Sequence, residues 1–312
     1  MKALSLDMGG THIGCAVVED RRILASDGMS CDSAQSAESL LPSLTNVLHS
    51  LLHQAGVTTS ECAGIAIGFP GIVDARTGKI LSTLKKYEDA MHLDLAGWCK
   101  AAFSLPMRIE NDARMALLGE TYAGAAQGHT DVVMMTLGTG IGGAAMMQGK
   151  VLRGAHSQAG SLGGHLVVDF EGHLCSCGNI GCAEAEAAGW SMPQIARDWP
   201  GFSESTLPQS GDIDFLALFQ QAENGDRVAI AVRDRCLQVW AANAVSQVHA
   251  YDPAVIVLGG GIMKSAHVVQ PFVEQYVHRH AWAAWGKPAV RAAMLGNDAA
   301  FLGAVPLLSE EF

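Results

Sequence analysis

The chain has 312 residues, enough for two domains of ordinary size, each with its own core. Hydrophobic residues make up 49% of it and charged residues 16%, a composition that excludes an intrinsically disordered protein. The formal net charge of −11 disfavours nucleic acid or an anionic membrane as the main partner. A small anionic ligand is not excluded, because backbone amides bind anions without a surplus of Lys or Arg.

The N-terminal segment and the cysteines together indicate the cytoplasm. Residues 1–10 lack the apolar core and the cleavage site of a secretory signal. No stretch approaches the roughly 18 uninterrupted apolar residues of a membrane span. Of the eight cysteines, three are clustered and five are scattered, which fits a reducing compartment better than a disulfide framework.

A strand, a glycine-rich turn and a second strand open the chain. The first strand ends at Asp7, the turn contains Gly9, Gly10 and Thr11, and apolar residues follow over 12–18. Because a strand rather than a helix follows the glycines, this is not the dinucleotide-binding fingerprint. The turn either faces its N–H groups towards an anion or is a simple tight hairpin, and the pattern alone fits both.

The same design returns 129 residues later. The apolar run 132–136 is followed by a Gly/Thr turn over 138–143 and by apolar residues 144–147, and at this offset Gly9 aligns with Gly138. Two matching openings predict a duplicated fold with a cleft between its halves, each half offering one phosphate-facing loop. A chance match of two glycine hairpins is the alternative.

Strands and helices alternate through most of the chain, which is typical of an α/β architecture with largely parallel or mixed sheets. Asn111 and Asp112 follow a short strand over 107–110 and precede a helix, a position at which polar residues often serve as N-caps. Residues 199–214 are expected to form a surface excursion. Helices are predicted over 37–55, 93–103, 113–122, 183–196, 215–222, 229–250 and 268–280.

A third glycine turn follows the apolar strand 255–258 and consists of Gly259, Gly260 and Gly261. It lies at the carboxyl end of a strand, where open α/β sheets bind ligands.

A cluster of thiols and imidazoles lies between residues 165 and 184. His165, Cys175, Cys177 and Cys182 can close the tetrahedral Cys₃His shell of a structural zinc site, with His173 as a weaker alternative for the fourth ligand. The cysteines could instead be small buried hydrophobes. The glycines of the Cys-x-Cys-Gly-x-x-Gly-Cys run favour zinc, because they let the backbone fold tightly around one point.

Taken together, these motifs resemble the ROK family (repressor, open reading frame, kinase) of bacterial sugar kinases nearly end to end. The resemblance implies an actin-like, ribonuclease-H-like (ASKHA) fold of two α/β domains that close over ATP and a sugar. We expect a smaller domain of residues 1–112 plus a C-terminal helix at about 299–312, and a larger domain of residues 113–298 with the zinc loop. The resemblance rests on residues 7–11, 68–74, 110–113, 136–142, 165, 175–184 and 258–262.

The resemblance also implies site residues. Asp112 would be the catalytic base, in competition with its interpretation as an N-cap, and the zinc would be structural. Glu184 could instead be an acid favoured by the dipole of a helix N-terminus. The sugar hydroxyls would be contacted by Gly71, Asn111, Asp112, His165 and Glu184. The ATP phosphates and Mg²⁺ would be held by Asp7, Gly9, Gly10, Thr11, Gly138, Thr139 and Gly140, with Gly259, Gly260 and Gly261 near the nucleotide.

The chain departs from the family pattern before the metal histidine. Family members usually read Ala-Gly-Glu-x-Gly-His there, with the Glu gripping sugar hydroxyls. This chain reads Ala-Gly-Ser-Leu-Gly-Gly-His over 159–165, so that Ser161 or Leu162 takes the place of the Glu. A hydroxyl is a more permissive acceptor than a carboxylate, and strict recognition of glucose is therefore in question.

A second departure lies over 85–89, where Lys85 and the residues after it replace the Pro-Asn-Leu common in the family. Tyr87, Glu88 or Asp89 either takes part in choosing the sugar or belongs to a solvated charged loop.

The resulting prediction is an ATP-dependent hexose kinase that phosphorylates a primary hydroxyl, at the 6-position. The alternatives are an N-acetylhexosamine kinase acting on N-acetylmannosamine or N-acetylglucosamine, a sugar-responsive repressor and a non-catalytic sugar-sensing protein. A repressor is disfavoured by the acidic charge, and the residues before Asp7 leave no room for a helix-turn-helix domain. We expect a homodimer, in which the apolar segment 282–285 either forms part of the contact or lies in the core.

Overall fold

The computed structural model describes residues 1–83, 86–208 and 212–311, so Lys85 lies outside the described residues. The strands are β1 (Lys2–Met8), β2 (His12–Glu19), β3 (Arg22–Ser30), β4 (Cys62–Phe69), β5 (Ile72–Asp74), β6 (Lys79–Ser82), β7 (Met107–Asn111), β8 (Val132–Leu137), β9 (Ile141–Met147), β10 (Lys150–Val151), β11 (Val255–Gly259) and β12 (Ala289–Ala292). The helices are α1 (Ala37–Ala55), α2 (Leu95–Phe103), α3 (Asp112–Ala123), α4 (Ala183–Ala187), α5 (Met192–Arg197), α6 (Phe215–Glu223), α7 (Arg227–Tyr251), α8 (Ala266–His280), α9 (Ala299–Leu302) and α10 (Ala304–Ser309).

Two five-stranded sheets share one topology. The first has the order β3-β2-β1-β4-β7, and the second has the order β10-β9-β8-β11-β12. In the first sheet β1 is antiparallel to β2 and parallel to β4, and in the second β8 is antiparallel to β9 and parallel to β11. The sheets continue with parallel pairs, β4 with β7 and β11 with β12. The strands β4 and β11 consist of apolar residues along their whole length, as is typical of parallel strands that helices cover on both faces.

The internal repeat predicted from the glycine turns is confirmed by this topology. The first hairpin runs from Met8 at the end of β1 to His12 at the start of β2, and the second runs from Leu137 to Ile141. Both pairs of positions are separated by the same offset of 129 residues that aligns the glycines.

Contacts divide the chain into two compact units. The first comprises Met1–His129, Val151–Ser161 and the segment from Met294 onwards, and the second comprises Thr130–Lys150 and Leu162–Ala293. The boundary that we predict from the sequence lies at residue 112 instead. Where the sequence predicts a single C-terminal helix, the structure has two, α9 and α10.

Close packing keeps α3 in the first unit. A β-carbon on Gly119 of α3 would lie 1.9 Å from the carbonyl oxygen of Ala299, and one on Gly303 would lie 2.2 Å from that of Met115. No carbon atom makes contacts this short, so the approach of α3 to the C-terminal helices requires glycine at both positions. A boundary at residue 112 would cut through this contact.

Each unit has its own core. In the first, the apolar face of α1 places Leu40, Leu44 and Leu48 on the sheet at the spacing of one helix face. In the second, α7 is the central helix, and the buried indole of Trp240 donates a hydrogen bond of 3.0 Å to the carbonyl of Ala187. Within the part of the chain that the structure describes, no helix is long and apolar enough to cross a membrane.

The helix predicted over 183–196 is wrong in one respect, because the structure breaks it into α4 and α5. At the break, the amides of Gly189 and Trp190 donate to the carbonyls of Gly138 and Thr139, at 2.9 and 3.0 Å. A β-carbon on Gly189 would lie 2.9 Å from the Gly138 carbonyl oxygen. The break between α4 and α5 therefore lets these amides bond to the β8–β9 turn. Helix propensity alone does not predict such a tertiary contact.

Candidate active site and metal centre

Three parallel strands of the first unit end side by side. In the register of the sheet, Asp7 of β1 pairs with Gly68 of β4, and Phe69 pairs with Asn111 of β7. The carboxyl ends of parallel strands are where open α/β sheets bind ligands. The structure thus brings together Asp7, the turn that contains Gly71, and the Asn111–Asp112 pair, as the sequence motifs predict.

Asn111 rather than Asp112 is the N-cap of α3. Its Oδ1 accepts a hydrogen bond of 3.3 Å from the amide of Arg114, while its Nδ2 donates to the Gly71 carbonyl at 3.1 Å and to Asp112 Oδ1 at 2.9 Å. Asp112 is the first residue of the helix. The interpretation of this pair as caps therefore accounts for Asn111 and leaves Asp112 without a capping role.

The Asp112 carboxylate is held through one oxygen only. Oδ1 accepts from the amide of Ala113 at 2.8 Å and from Asn111, and no hydrogen bond from the described residues reaches Oδ2. Burial raises the pKa of Asp112, whereas the Ala113 amide, the charge of Lys86 and Asn111 act to lower it. An oriented carboxylate with one unused oxygen is suited to accept a proton.

Asp7 is a second carboxylate at this end of the sheet. Within the described ranges it accepts no hydrogen bond, and burial, followed by the charge of Asp112, raises its pKa to about 7. Two neighbouring carboxylates repel each other, and a bound divalent cation relieves that repulsion. Oxygen ligands of this kind suit Mg²⁺, so the residues present fit that ion.

Replacing Asp7 with Asn is expected to stabilise the protein at alkaline pH. The folded state raises the pKa of Asp7 from 3.8 to about 7, so the stability that this carboxyl contributes is present below pH 4 and is lost as the pH rises through 7. We expect Asp7→Asn to gain roughly 2–4 kcal/mol in free energy of unfolding at pH 8 and less at pH 5, measured in Mg²⁺-free buffer.

The control for this prediction is Asp27→Asn, which removes an exposed carboxylate from β3 of the same unit. Its stability should follow that of the wild type at both pH values. An Asp7→Asn variant that melts with the wild type at pH 8 would contradict the prediction.

The turn between β1 and β2 leaves amides available. Its carbonyls are all engaged, because Gly10 and Thr11 accept from the amides of Ser33 and Cys31 at 3.0 Å, and Gly9 accepts from the Tyr87 hydroxyl. The N–H groups of Gly10 and Thr11 donate to no group among the described residues. Beside the turn lies a cavity of about 400 Å³, lined in part by Asp7, Gly9, Thr11, Asn297 and Phe301.

The second unit repeats this arrangement. The Gly138 amide is used within the turn, at 3.0 Å from the Gly140 carbonyl, and those of Thr139 and Gly140 donate to nothing in the described part of the chain. The third glycine turn lies against it, since Gly260 has a φ of 90° and a β-carbon there would be 2.3 Å from the Leu137 carbonyl oxygen. In the described part of both units, therefore, a glycine turn keeps amides without an acceptor, which is the geometry of an anion site.

Four predicted metal ligands of the second unit converge. The candidate ligand atoms of His165, Cys175, Cys177 and Cys182 all lie within 4.8 Å of one another. The two sulfurs of Cys177 and Cys182 are 3.7 Å apart, and Cys175 Sγ is 3.5 Å from His165 Nδ1. Zinc bonds of about 2.3 Å to sulfur and 2.0–2.1 Å to nitrogen give ligand separations of roughly 3.5–3.8 Å in a tetrahedron. The donor set and its spacing fit Zn²⁺.

His173, the alternative fourth ligand, lies outside this group. Its Nδ1 is 2.9 Å from Glu186 Oε2, and its side chain is 55% exposed. Glu186 is also paired with Arg235. The structure therefore favours His165 as the fourth ligand.

Glu184 lies at the glycine turn of its own unit. Its Oε2 accepts from the amide of Ile141 at 2.9 Å, and its Oε1 lies 3.4 Å from both Ser176 Oγ and the Trp190 indole nitrogen. It also lies in the first turn of α4, as the interpretation as an acid at a helix N-terminus predicts, whereas its contact with a sugar stays a prediction. Ser161, at the first departure from the family pattern, bonds only to the carbonyl of Gln158 at 3.0 Å among the described residues.

A buried ion network supports the Asn111–Asp112 turn and was not predicted. Glu110 is fully buried, accepts from the Asn111 amide at 2.9 Å, and pairs with Arg153 at 2.7 Å and with Arg114 at 3.3 Å. Arg153 also pairs with Glu310 at 2.6 Å. Removing one member of such a buried network costs roughly 3–5 kcal/mol, because it leaves an uncompensated buried charge.

Comparison with known proteins gives consistent matches over the whole chain. The family model described as "ROK family" matches residues 3–311. A glucokinase from Thermotoga maritima is 29% identical over 319 residues, which cover 99% of this chain and 98% of that protein.

Solved structures agree with this match. A ROK hexokinase from Thermus thermophilus is 31% identical with a TM-score of 0.80, covering 98% of this chain and 97% of its own. A ROK family glucokinase from Streptomyces griseus, in complex with glucose and AMPPNP, is 28% identical with a TM-score of 0.80, covering 98% and 99%. The two-domain α/β, actin-like fold expected from the sequence is confirmed.

Proposed function

The chain belongs to the ROK family, and from that membership we propose that it is a sugar kinase that uses ATP to phosphorylate a hexose at the 6-hydroxyl. The observation that carries the proposal is the geometry of the Asp112 carboxylate. Asp112 stands at the carboxyl end of β7 with Oδ1 fixed by two donors and Oδ2 open. The curated relative and the two solved structures, which are named as a glucokinase, a hexokinase and a glucokinase, support this activity.

In this proposal Asp112 is the general base. A sugar hydroxyl is a poor nucleophile until its proton is accepted, and a positioned carboxylate contributes about 10²–10⁴ in rate. Oδ2 would take the proton, while Asn111, itself tied to the Gly71 carbonyl, keeps the carboxylate in orientation. Asn111 and Gly71 are the proposed sugar contacts of the first unit, and His165 and Glu184 are those of the second.

The glycine turns are assigned to the phosphates. Phosphoryl transfer depends mostly on positioning and charge neutralisation, which free amides supply. The proposal gives this role to Gly9, Gly10 and Thr11 of the first unit, and to residues 138–140 and 259–261 of the second. When bound at Asp7, Mg²⁺ would supply further neutralisation of the phosphate charge.

We assign Zn²⁺ a structural role. A shell filled by His165, Cys175, Cys177 and Cys182 leaves no open position for activating a hydroxyl. Because Nδ1 of His165 faces Cys175, Nε2 remains for a sugar hydroxyl. All eight cysteines are free thiols, which suits the reducing cytoplasm that the proposal includes.

A sugar panel tests the proposed function. The protein with Mg-ATP is assayed for ADP release with glucose, mannose, fructose, N-acetylmannosamine and N-acetylglucosamine, and the product is identified by phosphorus NMR. We expect sugar-dependent ADP release and a 6-phosphate. Sugar binding without ADP release would contradict the kinase proposal and favour a non-catalytic sugar sensor, and replacing ATP by polyphosphate tests the donor.

One observation favours the second candidate, an N-acetylhexosamine kinase. Ser161 and Leu162 stand where the family usually has a carboxylate that grips sugar hydroxyls. A site without that carboxylate discriminates less against a substituent on the sugar ring. If the protein is an N-acetylhexosamine kinase, the panel will give a higher kcat/KM for an N-acetylated sugar than for glucose.

We also propose a homodimer that uses the tryptophans of segment 282–285. The alternative that this segment lies in the core is wrong within one chain, because Trp282 is 84% exposed and Trp285 is 59% exposed. We expect the double variant Trp282→Glu, Trp285→Glu to elute as a monomer in size exclusion with light scattering, with Leu216→Glu, another exposed apolar position, as control. A wild type that elutes as a monomer would contradict the proposal.

A further inference from the structure

Two consecutive side chains after β6 reach the glycine turn of the first unit. The Tyr87 side chain is fully buried, and its hydroxyl donates a hydrogen bond of 2.5 Å to the Gly9 carbonyl. The side chain of Lys86 extends over the turn, with Cε 3.6 Å and Nζ 3.8 Å from the place that a β-carbon on Gly10 would occupy. Tyr87 thus fixes the turn, and Lys86 brings an ammonium group to it.

Within the described residues, the ammonium group of Lys86 is unpaired. Among the described residues no carboxylate lies within ion-pairing distance of Nζ, although its charge acts on Asp112 and lowers the pKa of that carboxyl. The amides of Gly10 and Thr11 beside it also donate to nothing in the described ranges. A free ammonium and two free amides on one turn form a set of donors that suits a phosphate oxygen.

The position of Lys86 matters because its surroundings are acidic. Asp7 and Asp112 lie close enough for the charge of Asp112 to raise the pKa of Asp7. A polyanionic substrate placed beside two carboxylates is repelled by both, and a nearby cation offsets this repulsion. The Pro-Asn-Leu that is common in the family offers no ammonium group at this segment, whereas this chain does.

We propose that Lys86 binds the phosphoryl group that is transferred, and that it neutralises the charge of that group between the glycine turn and Asp112. The inference rests on the proposed kinase function and deepens it. It makes Lys86 a catalytic residue through direct contact with the substrate, and it makes Tyr87 a positioning residue that holds the turn under the ammonium.

The experiment compares Lys86→Met and Lys86→Arg with Lys79→Met. The last variant removes an exposed lysine at the start of β6 in the same unit and matches the change in net charge. Binding of inorganic tripolyphosphate in Mg²⁺ buffer is measured by titration calorimetry, and kcat and KM are measured for sugar and ATP. We expect Lys86→Met to weaken tripolyphosphate binding by about tenfold and to lower kcat by about 10²-fold, within the range of removed transition-state donors.

The other readouts separate a phosphate contact from a structural role. The sugar KM of Lys86→Met should stay within about threefold of the wild type, Lys86→Arg should recover most of the activity because it keeps the charge, and Lys79→Met should match the wild type. Melting temperatures confirm folding.

Two results would overturn the assignment: no tripolyphosphate binding by the wild type, or unchanged tripolyphosphate affinity in Lys86→Met. If the second came with a higher sugar KM and an unchanged kcat, Lys86 would contact the sugar instead. A wild type that binds tripolyphosphate through Lys86 but phosphorylates no sugar would keep the phosphate contact of Lys86 and reject the proposed function.

Discussion

The Asp112→Asn variant is expected to lose turnover by about 10²–10⁴-fold while its melting temperature stays at or above that of the wild type. The variant keeps the shape of the side chain and its contact with Asn111, but it cannot accept a proton. Burial raises the pKa of Asp112, which means that the ionised carboxylate is costly in this place. A neutral amide removes that cost, so we expect no loss of stability.

The matched control is Asp94→Ala. Asp94 is the N-cap of α2 in the same unit, and its side chain accepts a hydrogen bond of 2.8 Å from the amide of Gly97. Removing that cap should cost about 1 kcal/mol of stability and leave turnover unchanged. Turnover and melting temperature are measured on both variants. If Asp112→Asn retained activity, Asp112 would not be the base.

Loss of the proposed zinc ion is expected to have the largest effect on stability. The group formed by Cys175, Cys182 and Ala185 is the whole buried apolar cluster that the structure describes around the cysteine loop. So small a cluster cannot order the loop alone, whereas structural Zn²⁺ contributes roughly 10–16 kcal/mol of apparent binding free energy in isolated zinc modules. We expect Cys182→Ser to bind no zinc, to melt at least several degrees lower, and to be cut by proteases between residues 165 and 182.

Two histidines give the sharpest control for the metal site. His165→Ala should lose the zinc, and His173→Ala should keep one equivalent, because His173 is paired with Glu186 instead. Metal content by mass spectrometry and thermal melting are measured together. A purified wild type without zinc, or a His165→Ala variant with full zinc and wild-type melting, would contradict the assignment.

What the sequence predicts well in this chain is local. The turn Gly9–Thr11 and its repeat at Gly138–Gly140 each join two adjacent strands, so that their residues and their geometry lie within a few positions of one another. The same holds for Cys175, Cys177 and Cys182, whose spacing already restricts the backbone to a tight loop. Such short segments are enough to predict the two hairpin turns and the candidate metal ligands, whereas the two-domain fold is expected from the resemblance to the ROK family.

What the sequence does not reveal depends on distant partners. Glu110 meets Arg153, which is 43 residues away, and Arg153 meets Glu310 across 157 residues. Nothing in the strand around Glu110 distinguishes this carboxylate from a solvated one until the partners are brought together. The hydrogen bond from Tyr87 to the Gly9 carbonyl joins residues 78 positions apart, and the sequence does not reveal it for the same reason.

The carboxylate of Glu184 is hydrogen-bonded both to the cysteine loop and to the glycine turn of the second unit. Ser176, between two of the cysteines, and Ile141, at the end of the glycine turn, both donate to its carboxylate. Coupling of this kind is reciprocal as a matter of thermodynamics. In the proposed enzyme, we expect a nucleotide that binds the turn to change the affinity of the metal site for zinc, and zinc to change the affinity for the nucleotide by the same factor.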